Sequence, residues 1–124
     1  MGQTYRQLVA WQKSMELVVV VYKATQKFPR EELYGLTSQM RCASVSISSN
    51  IAEGTGRVSD SDFARFVEFA YGSAMGVVSQ AHIAKRQSML LSEDFQDLYD
   101  RAERLARMLS GLRGSLLGSS GPRP

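Results

Sequence analysis

Chemistry in this chain would have to come from very few side chains: there is one histidine, His82, and one cysteine, Cys42, in 124 residues. That leaves little room for a metal site, which needs several convergent His, Cys or carboxylate ligands, or for a Cys–His nucleophile pair. The Glu-x-x-His spacing that sets two di-iron ligands on one helix face is missing, because Ser79 stands three residues before His82. No Gly-x-x-x-x-Gly-Lys phosphate loop occurs. We therefore expect no catalytic residue, no metal ligand and no cofactor, and a protein that is not an enzyme. One stretch has the residue types for an anion cradle: Gly54-Thr-Gly-Arg57, ahead of a helix start, could converge backbone N–H groups and an arginine on a negative group. Against that reading, Asp60 and Asp62 follow directly and would repel an anion. Helix termination explains both glycines without an anion, and Glu53 is near enough to pair with Arg57 across the turn, so Glu53, Gly54 and Arg57 are expected to be structural. Cys42, in an apolar stretch, is expected to be a small core residue, and His82 a surface or interface residue.

The elements that must position these residues are helices. Composition is that of one globular domain, 44% hydrophobic and 22% charged, without the charge excess of a disordered chain. The longest apolar block, Leu17 to Tyr22, is bounded by Glu16 and Lys23, too short to span a membrane. The N-terminus has no signal-peptide pattern, which points to the cytoplasm. Helix 1 is marked by Leu8, Trp11, Met15, Val18, Tyr22 and Thr25, spaced alternately by three and four; burial on this line would account for Trp11 and Tyr22 without base stacking. Phe28-Pro29 ends it. Helix 2 carries Leu33, Leu36, Met40, Ala43, Ile47, Ile51 and Gly54, beside a line of small residues, Cys42, Ser46 and Ser49, that would let another helix come close. Asn50 borders its apolar stripe, so its amide is expected to be half buried and structural, holding the turn at Gly54 to Ser59. Ser59 caps helix 3, and Ser92 caps helix 4, whose core line runs Phe95, Leu98, Ala102, Leu105, Leu109 and Leu112, with Leu116 an optional extension. From Gly114 to Pro124 the composition turns to Gly, Ser, Pro and Arg, and a disordered tail is expected. The fold class that follows is all-α, an antiparallel up-down-up-down four-helix bundle over residues 1–113.

Helix 3, from about Asp60 to Met89, is too apolar for such a bundle to cover. Its core line is Phe63, Phe66, Ala70, Ala74, Val77, Ala81, Ala84 and Ser88; a second line is Phe69, Gly72, Gly76 and Ile83, and a third is Tyr71, Met75 and Val78. A helix apolar nearly all round is buried nearly all round, and another copy of the chain is the expected cover. Phe69, Gly72, Gly76 and Ile83 are thus candidate subunit-contact residues, with the glycines allowing close backbone approach; a local bend is the alternative use of the glycines.

In order along the chain, Val9-Ala-Trp-Gln-Lys13, Phe28-Pro-Arg-Glu-Glu-Leu-Tyr-Gly-Leu-Thr-Ser-Gln-Met40, Ser46-Ile-Ser-Ser-Asn-Ile-Ala-Glu-Gly54 and Gly72-Ser73 form a pattern. It resembles the four-helix-bundle family of 23S rRNA intervening-sequence proteins, over roughly residues 5 to 113. The resemblance implies a homopentamer encoded, in some bacteria, within insertions in 23S rRNA genes, with no established catalytic activity. It is also distantly similar to the accessory protein of diversity-generating retroelements, which binds a reverse transcriptase and nucleic acid. The chain departs from the family pattern at Gly76 and Val78, where acidic residues commonly follow Gly-Ser, and at Ser48, commonly proline.

Fifteen Lys and Arg against twelve Asp and Glu give +3, a balance that permits an acidic partner without demanding one. Acids crowd the first half of helix 4, and Arg104, Arg107 and Arg113 its second half. These arginines are candidate contacts to RNA, DNA or a nucleic-acid enzyme; equally, they suit the helix dipole as a solvated face. The function expected is a homo-oligomeric binding module, with a scaffold lacking any nucleic-acid role, or an enzyme with an inter-subunit site, as alternatives.

Overall fold

The structure, a computed structural model, describes residues 2–118. Among them are four α-helices and no strand: α1 (Gly2–Thr25), α2 (Leu36–Thr55), α3 (Asp60–Arg86) and α4 (Ser92–Gly118), with one 3₁₀ turn at Arg30–Glu32. The β-branched run Val18 to Val21 is helical, because four residues of strand preference cannot outweigh the longer apolar period around them.

Each helix packs on its neighbours in sequence, and α4 closes back on α1. Pairings across the bundle give the directions. Glu16 reaches Arg101 while Lys27, further along, reaches Asp94 earlier in α4, so α1 and α4 run antiparallel. Ser46 meets Ser73 and Gly54 meets Phe63 across α2 and α3. Glu68 meets Arg113 and His82 meets Phe95 across α3 and α4. The bundle is therefore up-down-up-down.

Local sequence explains the corners. Pro29 cannot continue α1, and after the 3₁₀ turn the Glu32 carboxylate accepts a hydrogen bond from Leu36 N at 3.1 Å, satisfying one of the N–H groups a helix start leaves open. Ser59 Oγ caps α3 by accepting from Asp62 N at 3.1 Å. Ser92 is the first residue of α4 rather than its cap; Leu91 O takes the bond from Phe95 N.

The core alternates in size. α2 contributes Met40, Ile47 and Ile51 and α4 contributes Leu98, Leu105, Leu109 and Leu112, while α3 faces them with Ala70, Ala74, Ala81 and Ala84. Large side chains on one helix fill the space that alanines leave on the next.

Several expectations change here. The inward line of α1 is Ala10, Ser14, Leu17, Val21 and Ala24, all buried, whereas Leu8, Trp11, Met15 and Tyr22 are exposed. Both lines repeat by three and four, so spacing could not choose between them. The small inner line is the one that fits, since four helices packed this closely leave no volume for an indole. Cys42 is exposed, on the outside of α2, and Leu33, also exposed, lies in the turn ahead of that helix. Ser88 is off the core: α3 stops at Arg86, and Ser88 has φ 60° while Met89 N bonds back to Ala84 O, a left-handed helix end. Glycine at Gly54 and Gly56 does not serve that purpose, because α2 stays helical to Thr55 and Gly56 has φ −83°. Finally, α4 continues through Gly114 to Gly118 with Leu116 buried, so residues 114–118 belong to the bundle; the rest of the expected tail, 119–124, lies outside the described residues. Leu116 continues the α4 line one turn past Leu112, and its burial outweighs the low helix propensity of Gly114.

Candidate interaction surfaces

The three candidate nucleic-acid arginines lie on exposed parts of α4 but are not equivalent. Arg107 Nη1 donates to Glu103 Oε1 at 3.2 Å, and Arg113 Nε lies 3.5 Å from Glu68 Oε2 of α3. Arg104 forms no ion pair with the described residues and lies beside Lys13 of α1. Glu103 has a second duty. Tyr99 donates a hydrogen bond to it, and that bond, with the carboxylate's charge, holds the Tyr99 phenol above its ordinary range. His82 sits edge-on to Phe95 and Tyr99, with ring centres 4.9 and 5.7 Å away, and ends there as an exposed aromatic contact. No group of three or more His, Cys, Asp or Glu among the described residues could hold a metal ion.

The anion cradle does not form. Gly56 N and Arg57 N already donate to Glu53 O and Gly54 O, which uses the N–H groups an anion would need. Arg57 pairs with Glu53 at 3.7 Å and lays its guanidinium over the Phe66 ring, 4.4 Å from the centroid. Gly54 has a packing role: a Cβ there would come within 2.7 Å of the Phe63 ring, so its bare backbone is what lets α2 and α3 meet. Asn50 turns back along its own helix rather than down to the turn. Its Nδ2 donates to Ser46 O at 2.9 Å and Ser46 Oγ at 3.0 Å, and Ser46 Oγ also accepts from Ser73 Oγ of α3 at 3.0 Å.

The expected contact line of α3 is on the outside. Phe69 is 50% and Ile83 48% exposed, and nothing lies within 4 Å of a Cβ built on Gly72 or Gly76. Around it the surface carries almost no charge. α3 has no Asp, Glu, Lys or Arg between Phe69 and Ala84, and α2 has none between Cys42 and Ala52. On α1 the exposed side chains Leu8, Trp11, Met15, Val19 and Tyr22 extend the same neutral face. The charged groups gather on the opposite side, along α4 and its border with α1, where Lys13, Glu16, Lys27, Asp94, Asp97 and Arg101 interact. Two faces of different chemistry therefore divide the bundle.

Where α1 meets α2 the neutral face holds an open groove of about 610 Å³, bordered by Tyr22, Tyr34, Arg41, Cys42 and Val45. Arg41 is its one cation. Its Nε donates to Thr25 Oγ1 at 2.9 Å and its guanidinium stacks 4.6 Å from the Tyr22 ring centre, so the charge is held against the wall. The outer line of α1 and this groove were missed by sequence reasoning. The signal that could have found them was the presence of two interleaved three-and-four lines in one helix, more than one side of a bundle can bury.

The fold has a solved counterpart: the crystal structure of a protein of unknown function from the S23 ribosomal protein family of Bacteroides thetaiotaomicron superposes with a TM-score of 0.80. The two are 18% identical, and the match covers 87% of this chain and 97% of that one. No curated protein matches. No helix among the described residues is long and apolar enough to cross a membrane. With the four-helix architecture in place and the family of 23S rRNA-intervening sequence proteins matching residues 6–111, this chain belongs to that family.

Proposed function

We propose that the protein is a non-enzymatic, cytoplasmic, homo-oligomeric binding module. The neutral face across α1, α2 and α3 turns toward neighbouring copies, and the charged α4 face turns outward to nucleic acid or a nucleic-acid enzyme. The observation that carries this reading is the segregation of charge: an exposed surface three helices wide with almost no ionised group is costly to leave in water and suited to burial. Five copies is the number the family resemblance suggests. The outward arginines then recur around the ring, so phosphate contacts that are individually weak add through avidity. The ion pairs of Arg107 and Arg113 are exposed, worth about 1 kcal/mol or less each, and a phosphate can replace their carboxylates. Those same pairs favour a second reading, a protein scaffold whose arginines serve only their own bundle.

Light scattering on the purified protein tests assembly, and retention of RNA and DNA as salt rises tests the outward face. Retention should fall steeply from low to physiological salt, and Arg104→Glu with Arg107→Glu should flatten that dependence. Absence of retention at low ionic strength would leave the scaffold reading.

A further inference from the structure

Both α1 and α3 carry an outward line with the three-and-four spacing of a coiled-coil seam, in addition to the line each buries. On α1 it runs through Leu8, Trp11, Met15 and Tyr22; on α3 it runs through Phe69, Gly72, Gly76 and Ile83. Such a period suits a helix as its partner, because knobs set 3.5 residues apart on average fit the holes of another helix. Within the protomer neither outward line is packed along its length on another helix; only Tyr22 is partly covered, by the Arg41 guanidinium of α2.

We infer that the outward line of α1 in one copy docks on the outward line of α3 in the next, the large α1 side chains seating over Gly72 and Gly76. The inference rests on the homo-oligomer proposed above and names its contact. Size is the first argument: α1 presents an indole, a thioether and a phenol, while α3 presents two positions with no side chain and open space above them. Length is the second. Leu8 to Tyr22 and Phe69 to Ile83 are both 14 residue steps, about 21 Å each at roughly 1.5 Å per residue. The third is charge, since neither line contains an ionised side chain. Pairing α1 with α1 would set large side chains against large ones and leave the glycine trough open; pairing α3 with α3 would leave Trp11 in water.

Because the two surfaces differ, the contact is heterologous and each copy offers one half to each neighbour. Both lie toward α2. Tyr22 shares a groove with Ser46, and Ser73, adjacent to Gly72, hydrogen-bonds Ser46 from the other side. The two surfaces are thus inclined toward a common side instead of standing back to back, a relation that turns each copy against the last and is compatible with a closed ring.

Complementation between variants tests this. Met15→Glu spoils the α1 half and Gly76→Glu the α3 half; both positions are on the outside of the bundle, so circular dichroism should stay helical. Each variant alone should be monomeric by light scattering and native mass spectrometry. An equimolar mixture should form a dimer of one chain of each kind, and no larger species, because only one good contact can be made. Leu8→Glu stands in if Met15→Glu misfolds. Variants that remain fully assembled, or monomeric variants whose mixture does not pair, would overturn the α1–α3 contact while a wild-type oligomer would still support the module. A wild-type protein monomeric at every concentration would overturn both.

Discussion

Gly54 is the position where one added methyl group should do most harm. In a helix interior alanine is normally favoured over glycine by about 1 kcal/mol. Here the methyl would press on the Phe63 ring at 2.7 Å and on Phe66 Cβ at 3.0 Å, and Phe63 is buried and cannot swing away. Overpacking of this kind costs about 1–3 kcal/mol. Gly54→Ala should therefore lower the melting temperature, whereas Gly72→Ala in an isolated protomer should not, having open space above it. Tyr99 offers a second residue-scale test. Its phenol is held protonated by the bond it donates to Glu103 and by that carboxylate's charge. A group whose folded pKa is raised adds stability that is fully present below its unfolded pKa, about 10 for tyrosine, and is lost as pH rises through the folded value. Glu103→Gln should move the ionisation of Tyr99 to lower pH, read by ultraviolet titration of the two proteins side by side.

At the scale of elements, the end of α3 is an unfinished helix stop. Ser88 adopts φ 60° to let Met89 N reach Ala84 O, a conformation that costs a side-chain-bearing residue about 1 kcal/mol and glycine almost nothing. Ser88 is exposed, so no packing is lost on replacing it. Ser88→Gly should stabilise the protein and raise the melting temperature by about 2–6 °C, read by thermal circular dichroism. The same element shows why its partner lines differ in character. α3 is thinned by alanine on its inner face to admit the leucines of α4 and the isoleucines of α2, and by glycine on its outer face, where open space lies above Gly72 and Gly76.

For the whole molecule, the division into a neutral and a charged face makes Trp11, the single tryptophan, a reporter of assembly. It is 38% exposed in the protomer and sits on the face proposed to be covered. Its fluorescence should be blue-shifted and shielded from acrylamide in the assembled protein. Dilution, or the Gly76→Glu change, should move the emission to the red and open the ring to quenching. An emission maximum independent of concentration and of Gly76→Glu would place Trp11 outside any contact.

Helix number, order and direction were legible in the sequence, because the apolar period is local and short connections permit only antiparallel neighbours. The core line of α4 was legible from Phe95 to Leu112, since most of the other positions of that helix are charged or polar; Ala106, buried beside it, and the continuation past Gly114 to Leu116 were not. In α1 two lines compete, and periodicity is blind to which one faces inward. The choice between Leu17 and Met15 is settled by the volume between four packed helices, a property of the assembled bundle and of no single segment. The role of Gly54 was hidden for a similar reason: a glycine near a helix end looks like a stop signal until the Phe63 ring, nine residues on and in another helix, is seen to occupy the space its side chain would have taken. Exposure of Cys42 and the retreat of Asn50 to Ser46 follow from the rotation of α2 against α3, and that rotation is set by side-chain packing between helices, which only the tertiary structure decides.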